Sequence, residues 1–188
     1  MKPETVAPDD PVVFIPIPEP CLQLIASGQR VVLPGLDIAE GALPPPHVAI
    51  RSLRLLEAGC PPEWAIPLNI VDGARQVVVG GVGFKGQPLS GVVEIGYAVA
   101  PSCHRRGFAT AAVRHAQAIA ARAGTVREVI ALVAPGNLAS AGVLARSSFT
   151  MGPEILDADG ERVVRWHWAC ETGSPQHWPA AGSLSSSG

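Results

Sequence analysis

Seven consecutive residues, His104-Arg105-Arg106-Gly107-Phe108-Ala109-Thr110, carry the densest chemistry in the chain. They lie between an apolar run ending near Val99 and a long alanine-rich segment with helical spacing. A helix start exposes backbone N–H groups without partners and the positive end of the helix dipole, so it attracts anions. Gly107 and Ala109 have no bulky side chain to hold a phosphate off the backbone, and Arg105 and Arg106 add positive charge. The competing reading is a solvated basic turn that happens to precede a helix. No GxxxxGK[ST] occurs and no GxGxxG opens the helix, which leaves a pyrophosphate site of another kind.

Other reactive residues are weaker candidates. Cys103 beside His104 invites a thiol nucleophile, but no orienting carboxylate follows it. Cys21, Cys60, Cys103 and Cys170 are widely spaced without a CxxC, so a zinc site is not expected and all four read as reduced thiols. Trp64, Trp166, His167 and Trp168 fall near expected strand ends, where they either wall an acceptor pocket or fill the core. His47 and His115 sit among apolar neighbours, and ordinary surface or packed histidines account for both.

The elements that must position the turn can be read from periodicity. Short β-branched runs, Ile66 to Val71, Gln76 to Phe84 and Val92 to Val99, are separated by Asp72-Gly73 and by the Gly86-to-Gly91 loop, which predicts an antiparallel meander. From Gly107 to Ala123 the polar residues Thr110, Arg114, Gln117 and Arg122 recur at helical spacing, with Gly124 as a stop. A strand over Glu128 to Val133, a Pro135-Gly136 turn, a helix capped by Asn137 and a hairpin around Asp159-Gly160 follow. The proline-rich first third admits two short helices, Leu22 to Ser27 and His47 to Glu57.

His104 to Ala109 resembles the signature of the GNAT acetyltransferase superfamily: Arg or Gln, two residues, Gly, one residue, then Gly or Ala. The stretch from Gly80 to Thr110 is similar to the branch of ribosomal-protein N-terminal acetyltransferases, and Asn137, Ser140 and Phe149 match a later part of that pattern. Together the likeness covers roughly residues 64 to 168, whereas the first sixty residues match only loosely.

The resemblance implies acetyl-CoA as co-substrate, with the backbone of Ala98 and Val99 receiving its pantetheine arm as an added strand would be received. It implies pyrophosphate held by His104, Arg105, Arg106, Gly107, Phe108, Ala109 and Thr110, chiefly through backbone amides, and Asn137 against the pantetheine. Ser140, one helical turn on, would face the sulfur. His104 stands where the family has Arg or Gln, Leu144 where many members have a proton-donating tyrosine, and Ser148-Phe149 where Gly-Phe is common. Amine acetylation needs a base and a proton for the departing thiolate. Glu94 is the candidate base, or a strand carboxylate paired with a neighbouring Arg; Ser140 is the candidate donor, or a helix-start hydroxyl bonding its own backbone.

Composition narrows the class further. The chain has 188 residues, 47% hydrophobic and 16% charged, which suits one domain with a substantial core and excludes global disorder. A net charge of -2 favours neither nucleic acid nor an anionic membrane, and the charge-free stretch from Val129 to Ala145 is too short and too broken to span a bilayer. The opening residues follow neither a secretory nor a transit plan, so a cytoplasmic location is expected. The resulting expectation is a single α/β domain over residues 1–170, a mixed and mainly antiparallel sheet of six to seven strands flanked by helices and splayed at the cofactor site. Its divergent proline-rich part covers 1–63, and a flexible Ser/Gly/Pro tail covers 171–188. The expected activity is acetyl transfer to a primary amine, either a small amine or a protein N-terminus. The alternative is an acyl-CoA-binding or sensor domain with little turnover.

Overall fold

The computed structural model describes residues 12–170, and the expected tail lies outside them. The elements run β1 (Val12–Pro16), α1 (Glu19–Ala26), β2 (Asp37–Ile38), α2 (Pro46–Glu57), α3 (Pro62–Ala65), β3 (Leu68–Asp72), β4 (Val77–Phe84), β5 (Val92–Val99), α4 (Phe108–Arg122), β6 (Glu128–Val133), α5 (Leu138–Arg146), β7 (Thr150–Leu156) and β8 (Arg162–Ala169). The sheet order is β1-β3-β4-β5-β6-β8-β7, with two-residue β2 added in parallel to β4. Every other pairing is antiparallel except β5 with β6. The mixed, mainly antiparallel sheet flanked by helices is as expected, and the described residues make eight strands rather than six or seven. The additional strands are β1 and β2. Proline tolerates an edge strand, and β1 pairs only with β3 and ends at Pro16.

The expected meander is β3-β4-β5, but its first turn works differently from the Asp-Gly reading. The left-handed residue is Gln76 at φ 56°, and Asp72 is a buried strand end whose carboxylate Oδ1 accepts from the Arg75 N–H.

β5 belongs to two neighbours along its length. Phe84 pairs with Ile95 and Gly80 with Val99, whereas β6 reaches only Val92 to Glu94. Past Glu94 the two parallel strands part and β6 continues against β8 alone, so one edge of Ile95–Val99 has no strand beside it. That is the splay.

α4 lies against β4 and β5 because Phe108, Ala112, Val113, Ala116 and Ala120 recur at helical spacing and are buried. Burying a side chain such as Val113 or Phe108 contributes about 1.5–3 kcal/mol each. One expected surface position is corrected: Gln117 is buried, and its Nε2 donates to the Ser147 carbonyl at 2.8 Å, tying α4 to the end of α5. That end is closed by Ser148 at φ 61°, a left-handed conformation in which glycine is less strained. Among the described residues no helix is long and apolar enough to cross a membrane.

Candidate active site

A cavity of about 560 Å³ opens where the strands part. It is lined by the end of β5, by the turn leading into α4 and by the first turns of α5. Ala98, Val99, His104, Arg105, Gly107, Phe108, Ala109, Thr110, Asn137 and Ser140 all line it. Of the residues expected from sequence, Arg106 and Glu94 are not brought to it.

The turn owes its shape to two left-handed residues, Arg105 at φ 61° and Gly107 at φ 85°. Gly107 is the residue before α4, and no side chain caps that helix. The N–H groups of Phe108, Ala109 and Thr110 therefore begin the helix without intrahelical acceptors, in residues that line the cavity. No protein atom lies within 4 Å of where a Cβ on Gly107 would sit. Within the protein glycine is required by its φ, which costs other residues about 1–2 kcal/mol.

The three basic residues of the turn divide their work. His104 Nε2–H donates to the Val99 carbonyl at 2.8 Å, pinning the turn to β5. Arg105 lines the cavity. Arg106 turns away: its guanidinium is 3.0 Å from the buried Asp72 carboxylate at the end of β3 and 5.0 Å from the Phe108 ring centre. Asp72 is only 1% exposed, so this ion pair neutralises a charge that burial would otherwise penalise heavily.

α5 supplies the opposite wall. Asn137 Oδ1 accepts from the Ser140 N–H at 3.1 Å, the expected cap. The Tyr97 hydroxyl reaches across from β5 and donates to the Ser140 carbonyl at 3.2 Å. Burial pushes the Tyr97 phenol up to about 12, against smaller opposing effects from this hydrogen bond and from Arg146. The Ser140 hydroxyl lines the cavity and has no hydrogen-bond partner among the described residues, so it is not spent on its own helix. Leu144 is fully buried in the core. Cys103 lines the cavity, but His104 beside it is engaged with Val99.

Tyr97 and Arg146 are lining residues that the sequence reading missed. The signal for Tyr97 was present, since it is the chain's one tyrosine and sits on the strand leading to the turn. Arg146 closes the last turn of α5 and carries no such mark.

A second cavity, of about 290 Å³, lies between α2 and the β4–β5 pair, and Tyr97 and Ala98 line both. Gly81, Gly83 and Gly96 line it without side chains, and Gly81 opposes Ala98 while Gly83 opposes Gly96. His47, Arg51 and Lys85 supply its basic groups. Lys85 forms an ion pair with Glu94, so Glu94 belongs to the neighbourhood of this cavity rather than to that of Ser140. The pairing partner is a lysine, not the arginine considered from sequence. Partial burial lowers the pKa of Arg51, with Glu94 acting in the opposite sense.

The three tryptophans among the described residues pack in or against the core, Trp168 only half-buried. Trp64 packs edge-on against Phe84 with ring centres 4.7 Å apart, and Trp166 is buried. His115 stacks on Phe14 at 4.0 Å. The four cysteines are free, and no group of three His, Cys, Asp or Glu side chains is placed to hold a metal among the described residues.

The family profile described as acetyltransferase (GNAT) domain matches residues 49–150. Among solved structures, the ribosomal-protein-S5-alanine acetyltransferase of Vibrio fischeri superposes with a TM-score of 0.55 at 18% identity, over 69% of this chain and 73% of that one. A ribosomal L7/L12 alpha-N-protein acetyltransferase gives 0.53 at 20% identity, over 67% and 80%. A spermidine N-acetyltransferase of Vibrio cholerae gives 0.59 at 12% identity, over 84% and 93%. At these identities the likeness is one of fold. No curated protein matches the chain in sequence.

Proposed function

The chain belongs to the GNAT acetyltransferase family, and from that premise we propose that it transfers an acetyl group from acetyl-CoA directly to a primary amine. The observation that carries this reading is that Tyr97 and Ala98 line both cavities, one suited to the co-substrate and one open to an acceptor. The residues fit acetyl-CoA. The unpaired N–H groups of Phe108, Ala109 and Thr110, with Arg105 beside them, suit a pyrophosphate. The β5 edge left bare past Glu94, at Ala98 and Val99, suits the amides of a pantetheine arm. His104 holds the turn through Val99, Gly107 sets its φ, and Asn137 fixes the start of α5. Arg106 is spent on the buried Asp72 rather than on the co-substrate.

When bound, acetyl-CoA supplies an activated acetyl group: a C–N bond forms, the C–S bond breaks, the amine loses a proton and the departing thiolate gains one. Ser140, whose hydroxyl has no hydrogen-bond partner among the described residues, would pass that last proton to the thiolate while recovering its own from water. The Tyr97 hydroxyl, protonated like any phenol near neutral pH, holds the Ser140 backbone in place. Glu94 takes the ammonium proton from the side of the second cavity, where Lys85 holds its carboxylate.

The test is thiol release from acetyl-CoA over a panel of amines, with intact mass of the products and calorimetry of CoA binding. Acetylated product with one thiol released per acetyl is expected. CoA binding with no thiol release from any amine would leave a binding or sensor domain.

A further inference from the structure

The second cavity carries a charge pattern that bears on the acceptor, an inference that rests on the acetyltransferase reading above. Arg51 lines its wall from α2 and has no ion-pair or hydrogen-bond partner among the described residues. Partial burial works against its charge, and Glu94 works for it. Lys85 lines the same cavity and is already paired with Glu94. Two permanent cations therefore meet one carboxylate, an excess of one positive charge before His47 on the same wall is counted. A half-buried guanidinium without a partner is a ready receptor for a carboxylate, whose two oxygens match its fork of donors. A polycation entering here would meet Arg51 and Lys85 where solvent screening is reduced.

We propose that the acceptor is a small amino carboxylate, an amine that carries its own carboxyl group. Arg51 holds the carboxylate, and the amine end lies toward Tyr97 and Ala98, which line both cavities. Glu94, the proposed base, is held beside this cavity by its ion pair with Lys85 and takes the proton of the ammonium end. At about 290 Å³ the cavity lies near the lower limit of small-molecule sites, which suits a free amino acid better than several residues of a protein chain.

The experiment measures acetyl-CoA turnover with glycine, β-alanine and L-glutamate, with glycinamide and β-alaninamide, with the neutral peptide amide Ala-Gly-NH2, and with spermidine. The carboxylates are expected to exceed their amides in kcat/KM by about tenfold or more. Arg51→Gln should raise the acceptor KM about 10- to 100-fold and erase the preference for carboxylate over amide, because a charge-assisted bond is lost. Acetyl-CoA KM and CoA affinity should stay unchanged in that variant, and Arg51→Lys should restore part of the loss. Amides, the peptide or spermidine turning over as fast as the carboxylates would overturn the proposal. So would an Arg51→Gln variant with an unmoved acceptor KM. Failure of every amine to release thiol while CoA still binds is a different result: it overturns the transferase reading and this proposal with it.

Discussion

The two cavities that share Tyr97 in their walls are built on opposite principles. The larger one is formed by backbone: a helix start at Phe108–Thr110, a left-handed glycine and a strand edge left open by the splay. The smaller one is formed by side chains from distant segments, His47 and Arg51 on α2 and Lys85 beyond β4, over a floor of glycines. Backbone recognition depends on conformation, so most side chains around it can change without loss. Side-chain recognition depends on the identity of a few groups, so single substitutions can redirect it. Of the two departures from the family pattern, His104 braces the turn through Val99, and Leu144 is buried in the core, outside the cavity's lining.

The contrast is broken most directly at Gly107. Gly107→Asp forces a side chain into φ 85° and sets a negative charge among donors suited to phosphate, so CoA affinity measured by calorimetry should fall by at least about 100-fold with the fold retained. Wild-type affinity in that variant would remove the turn from the cofactor site. The next effect is on stability. Arg106→Ala leaves the buried Asp72 carboxylate without its main partner and should cost about 3 kcal/mol in urea unfolding, with CoA affinity changed little. Undiminished stability with weakened CoA binding would show that Arg106 contacts the co-substrate after all.

A smaller effect is expected at Ser140, the residue proposed to protonate the departing thiolate. Ser140→Ala should lower kcat about tenfold with acetyl-CoA KM nearly unchanged, because the contact is made in the transition state. A wild-type kcat under conditions where chemistry limits the rate would assign the thiolate's proton to water.

The smallest is spectroscopic and sharpens the border between the cavities. Tyr97 is the chain's one tyrosine, so absorbance titration reads it alone, and its midpoint should lie near 12 rather than 10. Because the folded pKa is the higher one, the stabilisation linked to this group is complete below pH about 10 and is lost as pH rises toward 12. A midpoint near 10 would mean that Tyr97 is solvated and does not bridge β5 to α5.

Much of the architecture was legible before any coordinates, because periodicity is a local property. Val92–Val99 and Glu128–Val133 were read to the residue, and α4 was read to within one residue at each end, since β-branched runs, alanine spacing and flanking glycines act over a few positions. β1 escaped because five residues ending in proline look like a loop until a partner strand is known. The turn at Gly107 was legible as a short motif for the same reason, as a helix start is a local event. What Arg106 and Gln117 do was not: each lies next to residues that suggest solvent or phosphate, and each is spent on a partner about thirty positions away.

By itself the sequence determined most of the strands and helices and the position of the helix start after Gly107. Only the tertiary structure decided that β5 parts from β6 after Glu94, that Tyr97 reaches Ser140, and that Arg51 and Lys85 converge on one cavity. The physical reason is range. Backbone conformation is set by residues within a turn or a few strand positions. The meeting of side chains 34 positions apart in the chain, as at Arg106 and Asp72, is set by how whole elements bury their apolar faces against one another.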